Sequence, residues 1–293
     1  MGAVGKCVPT PAGSEQKGLN MEVKVAILDD NIAGPPIFKA EHGLSVLVEV
    51  DGRSFLWDCG QTSITIENAR AMGIDLRAIE GIGISHGHYD HVGALLAVLM
   101  AAGPKRVFMH PEALAPKYFK AGPIKRFIGI PFSREAIMGS SLGLELSSGP
   151  VEVMPGVHLT GEIPRVTDFE GPEPNLTVRM DGEFVPDPFT DDQALVVETP
   201  EGAVVLTGCA HSGVVNILEY VLDRFGPIRA VVGGTHLGLG NETRLEPTLD
   251  FLEELAPPKM IFNHCTGTLA IARMIERFKD TFIPGQTGLS VTL

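Results

Sequence analysis

The run His86-Gly-His88-Tyr-Asp90-His91 puts three imidazoles and one carboxylate into six residues. It follows the apolar run Gly81–Ser85 and precedes the helix-forming run Val92–Met100. A strand end, a glycine turn and a helix start must therefore hold four metal-ligand side chains together, which ties the chain to an α/β architecture. His86 and His88 alternate about Gly87, so both rings can point to one side. Asp90 and His91 then turn toward a neighbouring position. One cluster can thus seed two adjacent metal positions, as two-metal catalysis requires. Imidazole with carboxylate suits zinc first, with manganese or iron as alternatives. Two divalent metal ions are the expected cofactors. The bland alternative is a His-rich surface loop that binds nothing.

Three later histidines share one context. His211, His236 and His264 each follow a strand-like run: Val204–Leu206, Ala230–Val232 and Met260–Phe262. Strand C-termini are where open α/β sheets place ligands. One such histidine is more often structural; three, beside a motif short of ligands, reverse the odds. The expected metal ligands are His86, His88, Asp90, His91, His211 and His264. His236 stands between ligand, substrate contact and support for a ligand; it is taken, with Asp90, as a catalytic residue. Asp58 ends the strand Arg53–Trp57 and either binds metal or orients a ligating imidazole from behind. Cys209 is either a soft ligand in place of a bridging carboxylate or a small buried residue.

The 293 residues are 44% apolar, enough for a sizeable core, with a net charge of −13. That charge argues against a general nucleic-acid or anionic-membrane binder. The longest apolar run, Val92–Gly103, is too short to span a bilayer. Cysteines at 7, 59, 209 and 265 form no CxxC pair, which fits a reducing cytoplasm. No secretory signal is visible, and residues 1–20 read as a flexible leader. Residues 21–293 read as one domain, and a homo-oligomer is left open.

Asp51-Gly52 joins two strand-like runs as a hairpin. Helices are expected at Ser63–Met72, after His91, and at Val214–Phe225, Glu246–Leu255 and Leu269–Phe278. Pro111–Arg134 reads as a helix followed by a loop. Gly161–Gln193 is long and rich in proline and acids, the pattern of a functional loop or lid. From Gly103 to Glu135 seven basic residues face two acidic ones. Such a stretch beside a metal site suits a phosphate or diphosphate, and a solvated charged face is its bland counterpart. Lys120, Lys125, Arg126, Arg134, Arg165 and His42 are the candidate substrate contacts.

Asp58-Cys-Gly60, the run 86–91, and the histidines near 211 and at 264 together resemble the metallo-β-lactamase superfamily. The resemblance implies a four-layer αββα sandwich with a dinuclear metal site at one edge. Nearly the whole chain from Val23 is similar to one subfamily. The carriers are Glu41-His-Gly-Leu-Ser45, Gly129-Ile-Pro-Phe-Ser-Arg134, Gly161-Glu-Ile-Pro-Arg165, Asp191-Asp-Gln-Ala194, Thr207-Gly-Cys-Ala-His211, Gly233-Gly-Thr-His-Leu237 and His264-Cys-Thr-Gly267. That subfamily is the 7,8-dihydropterin-6-methyl-4-(β-D-ribofuranosyl)-aminobenzene-5′-phosphate synthase-like group, often labelled metal-dependent hydrolase. The chain departs from the superfamily pattern in two places. Gly161–Arg165 lies where many relatives carry a third histidine of the first metal position, and Thr207–His211 replaces the usual Gly-Asp with its bridging carboxylate. His211 is the expected replacement imidazole, with water as the bridge.

The resemblance implies C–N coupling with diphosphate release from a phosphorylated small molecule, in methanopterin-type cofactor synthesis. A hydrolase of a phosphoester or other small ester is the alternative. A metal-bound sensor without turnover is the alternative of another class.

Overall fold

The computed structural model describes residues 21–180, 182–238 and 242–293. The leader expected at 1–20 lies outside the described residues. The first half runs β1 (Val23–Asp29), β2 (Ser45–Val50), β3 (Arg53–Trp57), α1 (Ile64–Ala71), β4 (Ile79–Gly83), α2 (Tyr89–Val92), α3 (Leu95–Ala102) and β5 (Arg106–Met109). It continues through β6 (Lys117–Ala121), β7 (Ile124–Phe127), α4 (Arg134–Ser140), β8 (Gly143–Leu146), β9 (Val151–Met154) and β10 (Val157–Leu159). The second half holds β11 (Leu176–Met180), β12 (Glu183–Pro186), β13 (Leu195–Val197), β14 (Ala203–Leu206), α5 (Val214–Phe225) and β15 (Ile228–Gly233). It ends with α6 (Glu242–Leu255), β16 (Lys259–Phe262), α7 (Thr268–Phe278), β17 (Phe282–Pro284) and β18 (Ser290–Thr292).

Alternation along the strands builds the layers. In β2, Val46, Val48 and Val50 face inward between two sheets while Leu47 faces out. In β14, Val204 and Leu206 face the same interior, while Ala203 and Val205 face the helices beyond. A period of two thus assigns each strand two apolar faces, as a sheet covered on both sides needs. One sheet is ordered β18-β1-β2-β3-β4-β5-β8 and the other β17-β16-β15-β14-β13-β10-β9. Helices close both outer faces. Leu95, Val98, Leu99 and Ala102 of α3 recur at helical spacing and are buried against the first sheet. Val214, Ile217, Leu218 and Val221 of α5 do the same on the second. Each such burial contributes about 1.5–3 kcal/mol. The result is the expected αββα sandwich. The β2–β3 hairpin turns at Asp51 and Gly52, both with positive φ (48° and 80°), as a two-residue hairpin loop requires.

Pro111–Arg134 is a correction. The expected helix is replaced by a short turn at Pro111–Leu114, the β6–β7 hairpin and then α4. Lys117-Tyr-Phe-Lys-Ala lacks a 3.6-residue apolar period, and Gly122 (φ 57°) with Pro123 makes the turn. The Tyr118 ring packs on Phe127 and Phe184 across strands, at 5.4 and 5.0 Å between centroids. β11 and β12 join this hairpin in a third sheet, ordered β12-β11-β6-β7. β12, β17 and β18 escape the sequence reading because they are short, and the first two end in proline. Among the described residues, no helix is long and apolar enough to cross a membrane.

Candidate metal centre

The ligand candidates converge at one edge of the sandwich, on loops that follow strands. The loop after β4 carries His86 and His88, and α2 carries Asp90 and His91. A side chain at position 87 would place its Cβ 2.0 Å from the Ala113 carbonyl oxygen, so only glycine fits between the two histidines. His211 follows β14, His236 follows β15 and His264 follows β16. Asp58, Ala210, His236 and His264 adopt positive φ (58°, 59°, 49° and 52°). Each such residue costs about 1–3 kcal/mol, a strain that collects at functional sites.

Two ligand groups form. In the first, His86, His88 and His211 offer nitrogens that all lie within 4.8 Å of one another. His86 Nε2 stands 3.0 Å from His88 Nδ1. In the second, Asp90 Oδ2 lies 3.5 Å from His264 Nε2 and 3.7 Å from His91 Nε2. The two imidazole nitrogens of that group are 3.2 Å apart. His42 completes it: its Nε2 is 3.2 Å from Asp90 Oδ2, and its ring stacks on His264. Cys209 stands between the groups, with Sγ 3.2 Å from His91 Nε2. Buried His88 Nε2 and His211 Nε2 have no hydrogen-bond partner among the described residues. Orphaned nitrogens that face a shared centre are what a divalent cation would satisfy, so the residues fit the group.

Partners behind the rings set their tautomers. Asp58 Oδ2 accepts from His91 Nδ1 at 2.7 Å and from Ser85 Oγ at 2.7 Å. The Ser85 oxygen, its own proton thus committed, accepts from His86 Nδ1 at 2.9 Å. Asp58 therefore turns the Nε2 lone pairs of His91 and His86 toward the centre. It sits behind the imidazoles and belongs to neither ligand group. His264 Nδ1 faces Asn31 Oδ1 at 3.0 Å, and its backbone N–H donates to Asp30 Oδ1 at 2.8 Å.

The run Asp191-Asp192-Gln193 clamps the loops after β4 and β14 together. Asp191 accepts from Gly87 N at 2.8 Å, Asp192 accepts from Ser212 N at 2.8 Å, and Gln193 Nε2 donates to the Ile84 carbonyl at 2.9 Å. Lys117, 1% exposed, bridges Asp187 and Asp191 at 2.7 and 2.8 Å. Phe189 stacks on His211, centroids 4.2 Å apart and planes 11° apart. Glu173 Oε1 lies 2.8 Å from His236 Nδ1 and 3.7 Å from His211 Nδ1.

Burial first, and then the neighbouring imidazoles, hold His86 and His88 well below the usual histidine range. Burial and His236 push His211 down to about 3. These rings are neutral at pH 7, the form that ligates metal. Burial alone would raise the Asp90 carboxyl, but His91, His264 and His88 hold it well below its ordinary value. Burial disfavours protonated His264, yet its bond to Asp90 raises it to about 9. A cation bound between them would displace that proton.

A cavity of about 760 Å³ opens above both groups. His42, His88, Asp90, Cys209, His211, His236 and His264 form its floor. Phe119, Ile128, Leu176, Leu237, Leu245 and Leu269 form much of its wall. Arg126 is the one Arg or Lys among the described lining residues; its guanidinium lies over the Tyr89 ring at 5.0 Å.

The basic stretch is therefore corrected as a phosphate platform. Lys120 and Arg134 are exposed and do not line the cavity, and Lys125 covers the Phe184 ring at 4.4 Å. Lys117 is buried in its ion pairs. Lys120 and Lys125 pair across the hairpin on the face opposite Phe119 and Arg126, and Arg134 begins α4. Arg165 is corrected too: its guanidinium donates to the carbonyls of Glu170, Ser212 and His211, so it shapes the His211 loop. Sequence reading missed Ser85, Asp30, Asn31, Glu173 and Phe189, and left Lys117 in the basic stretch, open between a phosphate contact and a solvated charge. Ser85 alone had a local signal, its place just ahead of the motif.

An uncharacterised protein of Methanocaldococcus jannaschii is 31% identical over 267 residues, covering 90% of this chain and 98% of its own. The 7,8-dihydropterin-6-methyl-4-(beta-D-ribofuranosyl)-aminobenzene-5′-phosphate synthase of the same organism is 28% identical over 278 residues, covering 89% and 93%. The solved structure of Tm1679, a metal-dependent hydrolase of the beta-lactamase superfamily, is 32% identical with a TM-score of 0.79, covering 92% and 99%. Residues 39–262, well over half the sequence, match the model of the metallo-beta-lactamase superfamily, and the chain belongs to that superfamily.

Proposed function

We propose that the protein is a metal-dependent enzyme that joins a dihydropterin-methyl diphosphate to an arylamine phosphate and releases diphosphate. The observation that carries this reading is the cavity itself: two ligand groups on its floor, an apolar wall, and Arg126 at its side. Its volume suits a substrate of a few rings, since small-molecule sites span roughly 300–1,000 Å³. The likeness to the M. jannaschii synthase supports the same chemistry.

His86, His88 and His211 would hold one divalent cation, and Asp90, His91 and His264 a second, with His42 at the second group's open side. When bound, the cations neutralise charge that develops on the diphosphate leaving group. The apolar wall would seat the ring systems and exclude water from the reacting carbon. Arg126 would pair with a phosphate. In the coupling, the methylene C–O bond breaks, a C–N bond forms, and the amine loses one proton. His236, oriented by Glu173, would take that proton. Asp90 would hold the second group in register.

The likeness to Tm1679 favours a second reading, in which water replaces the amine and the reaction is hydrolysis. Diphosphate release by metal-loaded protein, measured with and without the arylamine phosphate, separates the two. Amine-dependent release with a coupled product supports the synthase; equal release without amine supports the hydrolase. No release under either condition overturns both for this substrate.

A further inference from the structure

The sulfur of Cys209 occupies the place that joins the two ligand groups. Its Sγ belongs with His86 and His91 in one set of convergent atoms, with His211 and His236 in another, and with His264 and Cys265 in a third. The atoms within each set lie within 4.8 Å of one another. It thus reaches imidazoles of both groups, whereas among the described residues no carboxylate joins convergent sets in both: Asp90 joins only the set with His42 and His264.

The other described cysteines behave differently. Cys59 is fully buried in the apolar cluster under the first sheet, with Leu56 and Val92 among its members. Cys265 Sγ accepts from His236 N at 3.3 Å and donates to the Cys209 carbonyl at 3.4 Å, and it reaches only His264 among the imidazoles of the two groups. Cys265 thereby braces the Cys209 loop. Gly208 braces it from the other side, since a Cβ there would come within 2.1 Å of Ser85 Oγ. The loop is pressed against the strand end that carries His86, and Ala210, with φ 59°, turns it. An inert buried thiol has no need of this setting.

Resting on the metal-centre reading above, we propose that Cys209 is a thiolate ligand shared by the two metal positions. It stands where a bridging carboxylate would otherwise be needed. A soft sulfur donor at the junction selects thiophilic ions, zinc, ferrous iron or cobalt, over magnesium and manganese. Metal binding releases the thiol proton, because the thiolate is the ligand form.

Cobalt(II) alone is the probe, added to metal-free full-length protein. The expected result is two cobalt ions per chain and an intense near-ultraviolet sulfur-to-cobalt absorption. Cys209→Ser should abolish that band and weaken uptake of the second ion at least tenfold. Cys209→Asp should restore two ions without the band, and Cys265→Ser should keep both band and stoichiometry. Two ions bound with no sulfur band in the natural chain would overturn the thiolate while leaving the metal centre standing. A band that survives Cys209→Ser and disappears in Cys265→Ser would move the ligand to Cys265. Failure to bind cobalt at all would remove both readings.

Discussion

The floor and the wall of the cavity are built by opposite rules. On the floor, His86, His91 and His264 are each held from behind by a hydrogen-bonding partner, and the loops that carry the histidines are tied by Asp58, Asp191 and Asp192. Much of the wall is apolar side chains from the third sheet and the start of α7, with one guanidinium among them. The floor must hold its donor atoms to about half an ångström, as ligation demands. The wall sets only shape and one charge. Relatives of one fold can therefore keep the floor and exchange the wall, which separates reaction class from substrate choice.

The comparison predicts steep losses on the floor and shallow ones on the wall. His88→Ala removes a donor that no neighbour replaces. Metal-assisted charge stabilisation contributes several kcal/mol, so turnover should fall by about a thousandfold. Metal per chain should fall with it, and an unchanged metal count would break the assignment of His88 to the floor.

Lys117→Met leaves Asp187 and Asp191 buried without their cation. Removing one partner of a buried pair costs about 3–5 kcal/mol. Thermal unfolding should register that loss, and cobalt affinity at the His86, His88 and His211 group should drop because Asp191 also holds Gly87. Destabilisation with unaltered metal affinity would uncouple the third sheet from the floor.

Asp58→Asn keeps the shape but weakens the hold on His91 and, through Ser85, on His86. Metal affinity should drop by about 10–100-fold, measured by competition with a chelator. Arg126→Ala belongs to the wall. For a phosphorylated substrate it should raise KM by about tenfold with kcat nearly unchanged, the signature of lost uniform binding. A large fall in kcat would place Arg126 with the floor instead.

Away from both floor and wall, Asp29 predicts a pH dependence of stability. Burial, and then the adjacent Glu41, raise the Asp29 carboxyl from 3.8 to about 9. The folded chain therefore holds a proton that the unfolded chain releases. Its stabilising share is complete below about pH 4 and disappears as pH rises toward 9. Asp29→Asn should gain stability over the natural chain between pH 5 and pH 9, read as a widening difference in Tm. A difference independent of pH would show that Asp29 stays ionised when folded.

Much of the fold was legible because its period was. Val46, Val48 and Val50 alternate with outward residues, and Val214, Ile217, Leu218 and Val221 recur at helical spacing. The β6–β7 hairpin was not legible, because its two strands are short and β6 gains its second partner only from β11, about sixty residues away. His86, His88, Asp90 and His91 announced themselves by density. Lys117 read as one more basic residue, since nothing near it in the chain reveals two carboxylates at 187 and 191. Arg165 read as an anion contact for the same reason: its acceptors are mostly backbone carbonyls supplied by a distant loop.

The sequence by itself determined the chemistry available at this site, because ligand type and close spacing are properties of neighbouring residues. It determined which faces the regular elements bury as well, because apolar period is local, while the four-layer order was what the family resemblance implied. The tertiary structure decided which lone pairs converge, which carboxylates stand behind them, and which of the basic residues reach the cavity. Those outcomes depend on loops that meet across 30 to 230 positions of chain, and no local pattern encodes a distance of that kind.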